Sequence, residues 1–242
     1  MSRYKDKVLV VRGLIWISAI ILASSTCPER VWKKIPLADK FLDGITSETS
    51  VPSLKDCAKK CTETDNCKSF GFNTALTKCY LYDVLIWAGG QGADVAGMVY
   101  YWALKKRCPT NIGYTLDSTG SMCAKYFSDG KTWENAMRTC DTHDGHLFLV
   151  ESPFKKDLML NLIQNSSSTY IYLGATDVNK EGDWKWLNGV IIPTSTPSDW
   201  IPNRPDNYGD SQHCIVFKKG SDGLDDRDCT ETTPFICEIP IE

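Results

Sequence analysis

An α+β fold in two disulfide-crosslinked domains is expected from this sequence on three grounds. The chain has 242 residues, 42% hydrophobic and 24% charged, an ordinary globular ratio at a length suited to one large domain or two small ones. Its eleven cysteines exceed what a reducing compartment usually tolerates without metal or redox chemistry, so an oxidising, extracellular setting is indicated. Its patterning also changes along the chain: one short helix with strand-like stretches up to about residue 107, then two helical segments followed by short strands and turns.

Charge narrows the function classes. The net charge is −3, but residues 108–242 carry 11 basic and 20 acidic side chains, and the first 107 residues carry the compensating excess of Lys and Arg. An acidic C-terminal half lacks the clustered cations that phosphate neutralisation requires, so nucleic acid is excluded as a partner. Three histidines leave little material for His-based catalysis or a multi-histidine zinc site.

Residues 1–25 read as an address. Arg3, Lys5, Lys7 and Arg12 precede the apolar run Gly13 to Ala23, and Ser24 and Ser25 follow, the pattern of a secretory signal peptide. Cleavage after Ser25 would leave a secreted protein. The alternative is an uncleaved type II membrane anchor, for which the run is short against the roughly 20 apolar residues a bilayer needs.

Residues 26–106 form the first expected domain. Ser53 followed by Asp56 is a capping-box signature, so a helix starting at Leu54 would place Cys57 and Cys61 on one face. Cys67 and Cys79 follow, flanking an alternating stretch with Phe70 and Phe72 that reads as a strand. Four cysteines allow three pairings, and their expected role is to hold a small core together.

Residues 107–242 form the second, with the boundary near Lys106 in the basic triplet Lys105, Lys106 and Arg107. Cys108 and Cys123 bracket a span suited to a hairpin. Trp133, Ala136 and Cys140 stand at helical spacing, with His143 and His146 at the helix exit as structural residues. Ser152 before Pro153 is an N-cap with proline at the first helical position, and Phe154, Leu158 and Leu162 recur on one expected face. From Tyr170 onward short strands such as IYLG and WKWL alternate with Gly, Asn, Pro and Asp turns, up to Cys214, Cys229 and Cys237.

Two resemblances follow from these residues. The C-x3-C-x5-C spacing and the Ser-Phe-x-Phe-Asn strand, over Leu54 to Tyr82, resemble the apple (PAN) family. By that resemblance Cys57 pairs with Cys79 and Cys61 with Cys67. The CP opening at Cys108, the Lys-Thr-Trp helix, the Gly-His-Leu turn at 145–147, YLGA at 172–175, DWKW at 183–186 and PFICE at 234–238 together resemble the long form of the C-type lectin domain. That resemblance implies bridges Cys108–Cys123, Cys140–Cys237 and Cys214–Cys229. Closing the 97-residue span of the second is worth up to about 4 to 5 kcal/mol in the chain-entropy model. Cys27 is left over, which points to an interchain bridge and a homodimer.

The same resemblance implies a calcium site. In the family, Glu-Pro-Asn or Gln-Pro-Asp, an acid before the loop cysteine and a Trp-Asn-Asp triplet hold a calcium that binds two sugar hydroxyls. Here the positions read Arg204-Pro205-Asp206, Gln212 and Leu224-Asp225-Asp226, with a cis bond implied before Pro205. Calcium takes six to eight oxygens, and Asp206, Gln212, Asp225 and Asp226 can supply them. Arg204 brings none and lowers the charge of the three acids from −3 to −2, unless it swings outward and water takes its place. A second calcium position would match Asp177, Glu181, Asn207 and His213, a poorer set with two acids of the four.

The function so implied is a secreted lectin binding a carbohydrate or glycoprotein, with calcium as cofactor and Arg204, Asp206, Tyr208, Gln212 and Asp225 as ligand-binding residues. Tyr208 is the expected exposed stacking ring and Trp200 a core residue. The alternative is a lectin-like module that binds a protein or an anionic glycan without calcium, Arg204 receiving the anion. The sequence contains no Gly-x-Ser-x-Gly, His-Glu-x-x-His or phosphate-loop motif, so catalysis is not expected. Asn165-Ser166-Ser167 is an N-glycosylation acceptor.

Overall fold

The structure is a computed structural model that describes residues 32–40, 44–86, 94–104, 107–120, 122–195 and 199–241. The expected signal segment 1–25 and Cys27 lie outside the described residues. No helix among those residues is long and apolar enough to cross a membrane.

The first half is an antiparallel sheet backed by one helix. Strands β1 (Trp32–Lys40), β2 (Ser47–Ser50), β3 (Ser69–Asn73), β4 (Lys78–Tyr82) and β5 (Asp94–Ala103) are ordered β1-β5-β3-β4-β2. Helix α1 (Leu54–Glu63) starts where the capping box places it: the Ser53 hydroxyl accepts from the Asp56 amide at 3.3 Å and donates to the Asp56 carboxylate at 2.5 Å. Cys57 and Cys61 are buried on the face of α1 that meets the sheet, bridged to Cys79 and Cys67. On that side Phe70 stacks on Tyr101 at 5.1 Å and meets Trp32 edge-on at 4.9 Å. On the other side Tyr82, Met98, Tyr100 and Trp102 form a second core. Gly71 is required there, because a Cβ would lie 2.5 Å from the Tyr100 ring.

The second half builds around a larger sheet. Its elements are β6 (Thr115–Leu116), β7 (Cys123–Lys131), helix α2 (Trp133–Asp141), β8 (His146–Leu147), helix α3 (Pro153–Ile163), β9 (Tyr170–Thr176), β10 (Lys185–Trp186), β11 (Cys214–Lys218), β12 (Gly223–Arg227) and β13 (Thr233–Ile239). The strand order is β12-β11-β9-β13-β7-β6, with β10 on β9 and β8 on β13. The three bridges Cys108–Cys123, Cys140–Cys237 and Cys214–Cys229 are formed, the second fastening the end of α2 to β13. With them, ten cysteines are paired among the described residues.

Helix α3 is capped by Ser152 with Pro153 in its first turn, but its buried stripe is Lys155, Met159 and Ile163, one position along from the expected Phe154, Leu158 and Leu162. Phe154 is 45% exposed, while Leu158 and Leu162 pack at the margin. The displacement has an electrostatic cause. Lys155 Nζ lies 2.8 Å from the buried carboxylate of Glu238 on β13 and 3.4 Å from Glu151, which turns an ionic residue inward. Burial opposes the charged form of Glu238, but Lys155 beside it holds its pKa below the ordinary carboxylate value.

This ion pair adjoins the contact between the halves. His146, buried beside Glu238, has its ring 4.7 Å from that of Trp102 and its Nδ1 2.9 Å from the Leu147 carbonyl. Lys68 Nζ donates to the Asp141 carbonyl at 2.8 Å and pairs with the carboxylates of Asp141 at 3.1 Å and Asp144 at 3.6 Å. The Leu85 amide donates to Asp141 Oδ1 at 3.2 Å. Burial, which outweighs the Glu238 charge, lowers the pKa of His146, so its neutral form is the stable one in the fold. A depressed imidazole contributes stability that is present above the unfolded value of 6.5 and lost as the pH falls below it. Urea midpoints should therefore decline between pH 7 and pH 5, and the decline should be smaller in His146→Gln.

Candidate functional site

Strand β12 lies at the edge of the large sheet and carries two adjacent buried acids, Asp225 and Asp226. The loop after residue 199 pairs with that edge: the Leu224 amide donates to the Asp199 carbonyl at 2.8 Å and the Ile201 amide to the Leu224 carbonyl at 3.0 Å. A carboxylate taken from water needs donors or a positive charge. Asp226 finds donors, accepting from the backbone amides of Asp206 at 3.1 and 3.2 Å and of Asn207 at 2.6 Å. The loop is thereby tied to the sheet.

Asn207 braces the turn. At φ 43° it adopts the left-handed conformation that asparagine tolerates better than most residues. Its Oδ1 accepts from the Gln212 amide at 2.9 Å, and its Nδ2 donates to Glu181 at 2.7 Å. Gln212 Oε1 accepts from the Tyr208 amide at 2.9 Å. The Tyr208 ring projects from this braced turn 79% exposed, whereas Trp200 is buried against Trp184 at 5.1 Å.

Arg204, before the cis bond to Pro205, turns inward rather than outward. Its Nη1 pairs with the Asp206 carboxylate, and its Nε lies 3.1 Å from Asp225 Oδ1. The other oxygen of Asp225 is 3.6 Å from Lys218 Nζ. Lys218 is the residue that sequence reading missed; the signal was the short turn joining β11 to β12, which brings position 218 near 225. Burial raises the pKa of Asp225, and Arg204 and Lys218 together reduce that rise.

The four side chains expected to hold calcium are neighbours, but their oxygens are engaged within the chain. Asp206 and Asp225 face the guanidinium, Asp226 faces amides and Gln212 caps its own turn. With Arg204 and Lys218 against three carboxylates, one net negative charge remains. This arrangement does not fit a hard cation that wants six to eight free oxygens.

The second position is drawn together more closely. His213 Nδ1 lies 3.1 Å from Asp177 and 3.4 Å from Glu181, which also holds Asn207. Among the described residues these three are the group of His, Cys, Asp or Glu side chains with ligand atoms all within 4.8 Å. The cause is register: Cys214 on β11 pairs with Thr176 on β9, so the residues flanking that pair meet. An imidazole among the donors and an amide already bonded make it a poor calcium set. Asn165 is exposed just beyond α3.

Comparison with known proteins finds a matching domain family in each half. A PAN domain matches residues 37–86 and a lectin C-type domain matches 129–239. The human protein C-type lectin domain family 4 member K is 30% identical over 112 residues, 46% of this chain and 33% of that protein. The hemolymph lipopolysaccharide-binding protein of Periplaneta americana is 28% identical over 125 residues, 48% of each chain. Asialoglycoprotein receptor 2 of Rattus norvegicus is 30% identical over 137 residues, 54% of this chain and 42% of that receptor. The matches thus span between a third and a half of these relatives' own lengths.

Asp226 is the residue on which loop order rests most directly. Asp226→Ala leaves the amides of Asp206 and Asn207 without their acceptor and should cost about 1 to 3 kcal/mol in urea unfolding. Faster hydrogen exchange at Asn207 is expected with it.

Proposed function

Proceeding from a chain that carries a PAN domain followed by a C-type lectin domain, we propose that it recognises carbohydrate through the face formed by Arg204, Asp206, Tyr208 and Gln212, with Asp225 buried behind Arg204 to position it. C-type lectin domains are generally non-enzymatic binding proteins, and related ones bind carbohydrates. The observation that carries the reading is the Tyr208 ring, 79% exposed beside carboxylate and amide acceptors on a braced turn. A sugar offers the complementary surface, an apolar ring face for the aromatic and a rim of hydroxyls for the polar groups. The relatives' names, one for asialoglycoproteins and one for lipopolysaccharide, support a glycan as the ligand class.

The charge arrangement favours a neutral sugar over an anionic one. Arg204 already faces two carboxylates, and the cluster keeps a net negative charge, so an incoming anion would meet repulsion. Five disulfides accord with an extracellular site of action, reached through the leader expected at 1–25. A dimer joined through Cys27 would raise avidity by presenting two faces to one glycosylated surface.

Binding of the purified full chain to a glycan array tests the reading. Tyr208→Ala should weaken binding about tenfold, roughly 1.4 kcal/mol, with the urea midpoint unchanged. Absence of binding to any glycan, or binding indifferent to Tyr208→Ala, would overturn it.

A further inference from the structure

We infer that Arg204 is the built-in cation of the binding loop, doing permanently, from within the chain, the charge compensation for which a divalent ion would otherwise be needed. The acids that require compensation come from separate stretches. Asp206 belongs to the loop, and Asp225 belongs to the edge strand with its side chain only 5% exposed. Asp226 adds a third carboxylate, adjacent to Asp225 in sequence and tied to the Asp206 amide. Such a group holds together only with positive charge among its members.

The guanidinium meets that requirement from both sides of the gap. It contacts Asp206 by Nη1 and Asp225 by Nε, so one planar group joins the loop to the strand. Lys218 closes the far oxygen of Asp225 at 3.6 Å. A bound calcium would have to displace Arg204 from two carboxylates while still lacking the oxygen that a Glu or Gln at this position would bring. Extracellular calcium modules bind at about 10⁻⁴ to 10⁻³ M, a margin too small to absorb that competition. An arginine in the chain is also never diluted or chelated.

Loop order therefore does not depend on divalent ions, and neither does ligand binding at this face. A guanidinium offers N–H donors in place of open coordination positions. A sugar at this face meets hydrogen-bond donors and carboxylate acceptors, which is a different demand on hydroxyl geometry from chelation of one ion by a hydroxyl pair. The ligand consequence rests on the carbohydrate reading above, whereas loop order and metal binding do not.

Calcium titration by calorimetry and loop-amide hydrogen exchange on the purified full chain separate these cases. For wild type the expected result is equal protection of the Asn207 amide in calcium and in EDTA. Arg204→Glu should lose protection of that amide in EDTA and regain it in calcium, with a dissociation constant of about 10⁻⁴ to 10⁻³ M. Arg204→Gln, a neutral replacement that adds one oxygen, provides the same comparison if the glutamate variant does not fold. Two results would overturn the inference. One is calcium binding by wild type that persists in His213→Ala and disappears in Asp225→Asn. The other is Asn207 protection in EDTA that is unaltered in a folded Arg204 variant. A failure to bind glycans with the metal results as expected would count against the carbohydrate reading alone.

Discussion

Two neighbouring carboxylates buried at the rim of a sheet impose the constraint that organises the end of this molecule proposed to bind carbohydrate. Both Asp225 and Asp226 need partners there, and the two are satisfied differently: Asp225 by two cationic side chains and the Asp226 amide, Asp226 by the amides of the loop. The loop lies where it does because it supplies both kinds of partner. The bridge between Cys214 and Cys229 holds the hairpin that carries the acids, fixing which residues of β11 stand beside them. Strand register, disulfide and charge pairing therefore act together, and the solvent-facing tyrosine is their product.

Much of the scaffold was legible in the residues. Ser53 with Asp56, and Ser152 with Pro153, marked two helix starts because capping is a local interaction that sequence spacing expresses directly. The buried face of α3 was not legible, since Leu158, Met159, Leu160, Leu162 and Ile163 make almost any face apolar. The decision came from Glu238, a residue 83 positions distant from Lys155. At the recognition loop the residue types and their neighbourhood were readable from motif resemblance. The inward turn of Arg204 and the approach of Lys218 were not, because both depend on where an edge strand and a loop pair in space. His213 shows the same limit: its meeting with Asp177 follows from the pairing of Cys214 with Thr176.

The contact between the halves lies away from this end. His146 sits on β8, which pairs with β13, and two strands, β11 and β9, separate β13 from the edge strand that carries the acids. Trp102 and Lys68 therefore meet the C-terminal half away from the face proposed to bind carbohydrate. The N-terminal half can dock there, and share the polar environment of Glu238, without covering Tyr208.

The covalent link from Cys140 to Cys237 encloses the recognition loop and nearly every strand that supports it. A protease that cuts the backbone once anywhere between those two cysteines produces two peptides that stay joined. The ring therefore confers tolerance of such a cut as well as stability. An intact-looking molecule on a non-reducing gel could thus contain a population already nicked in the loop that carries Arg204 and Tyr208.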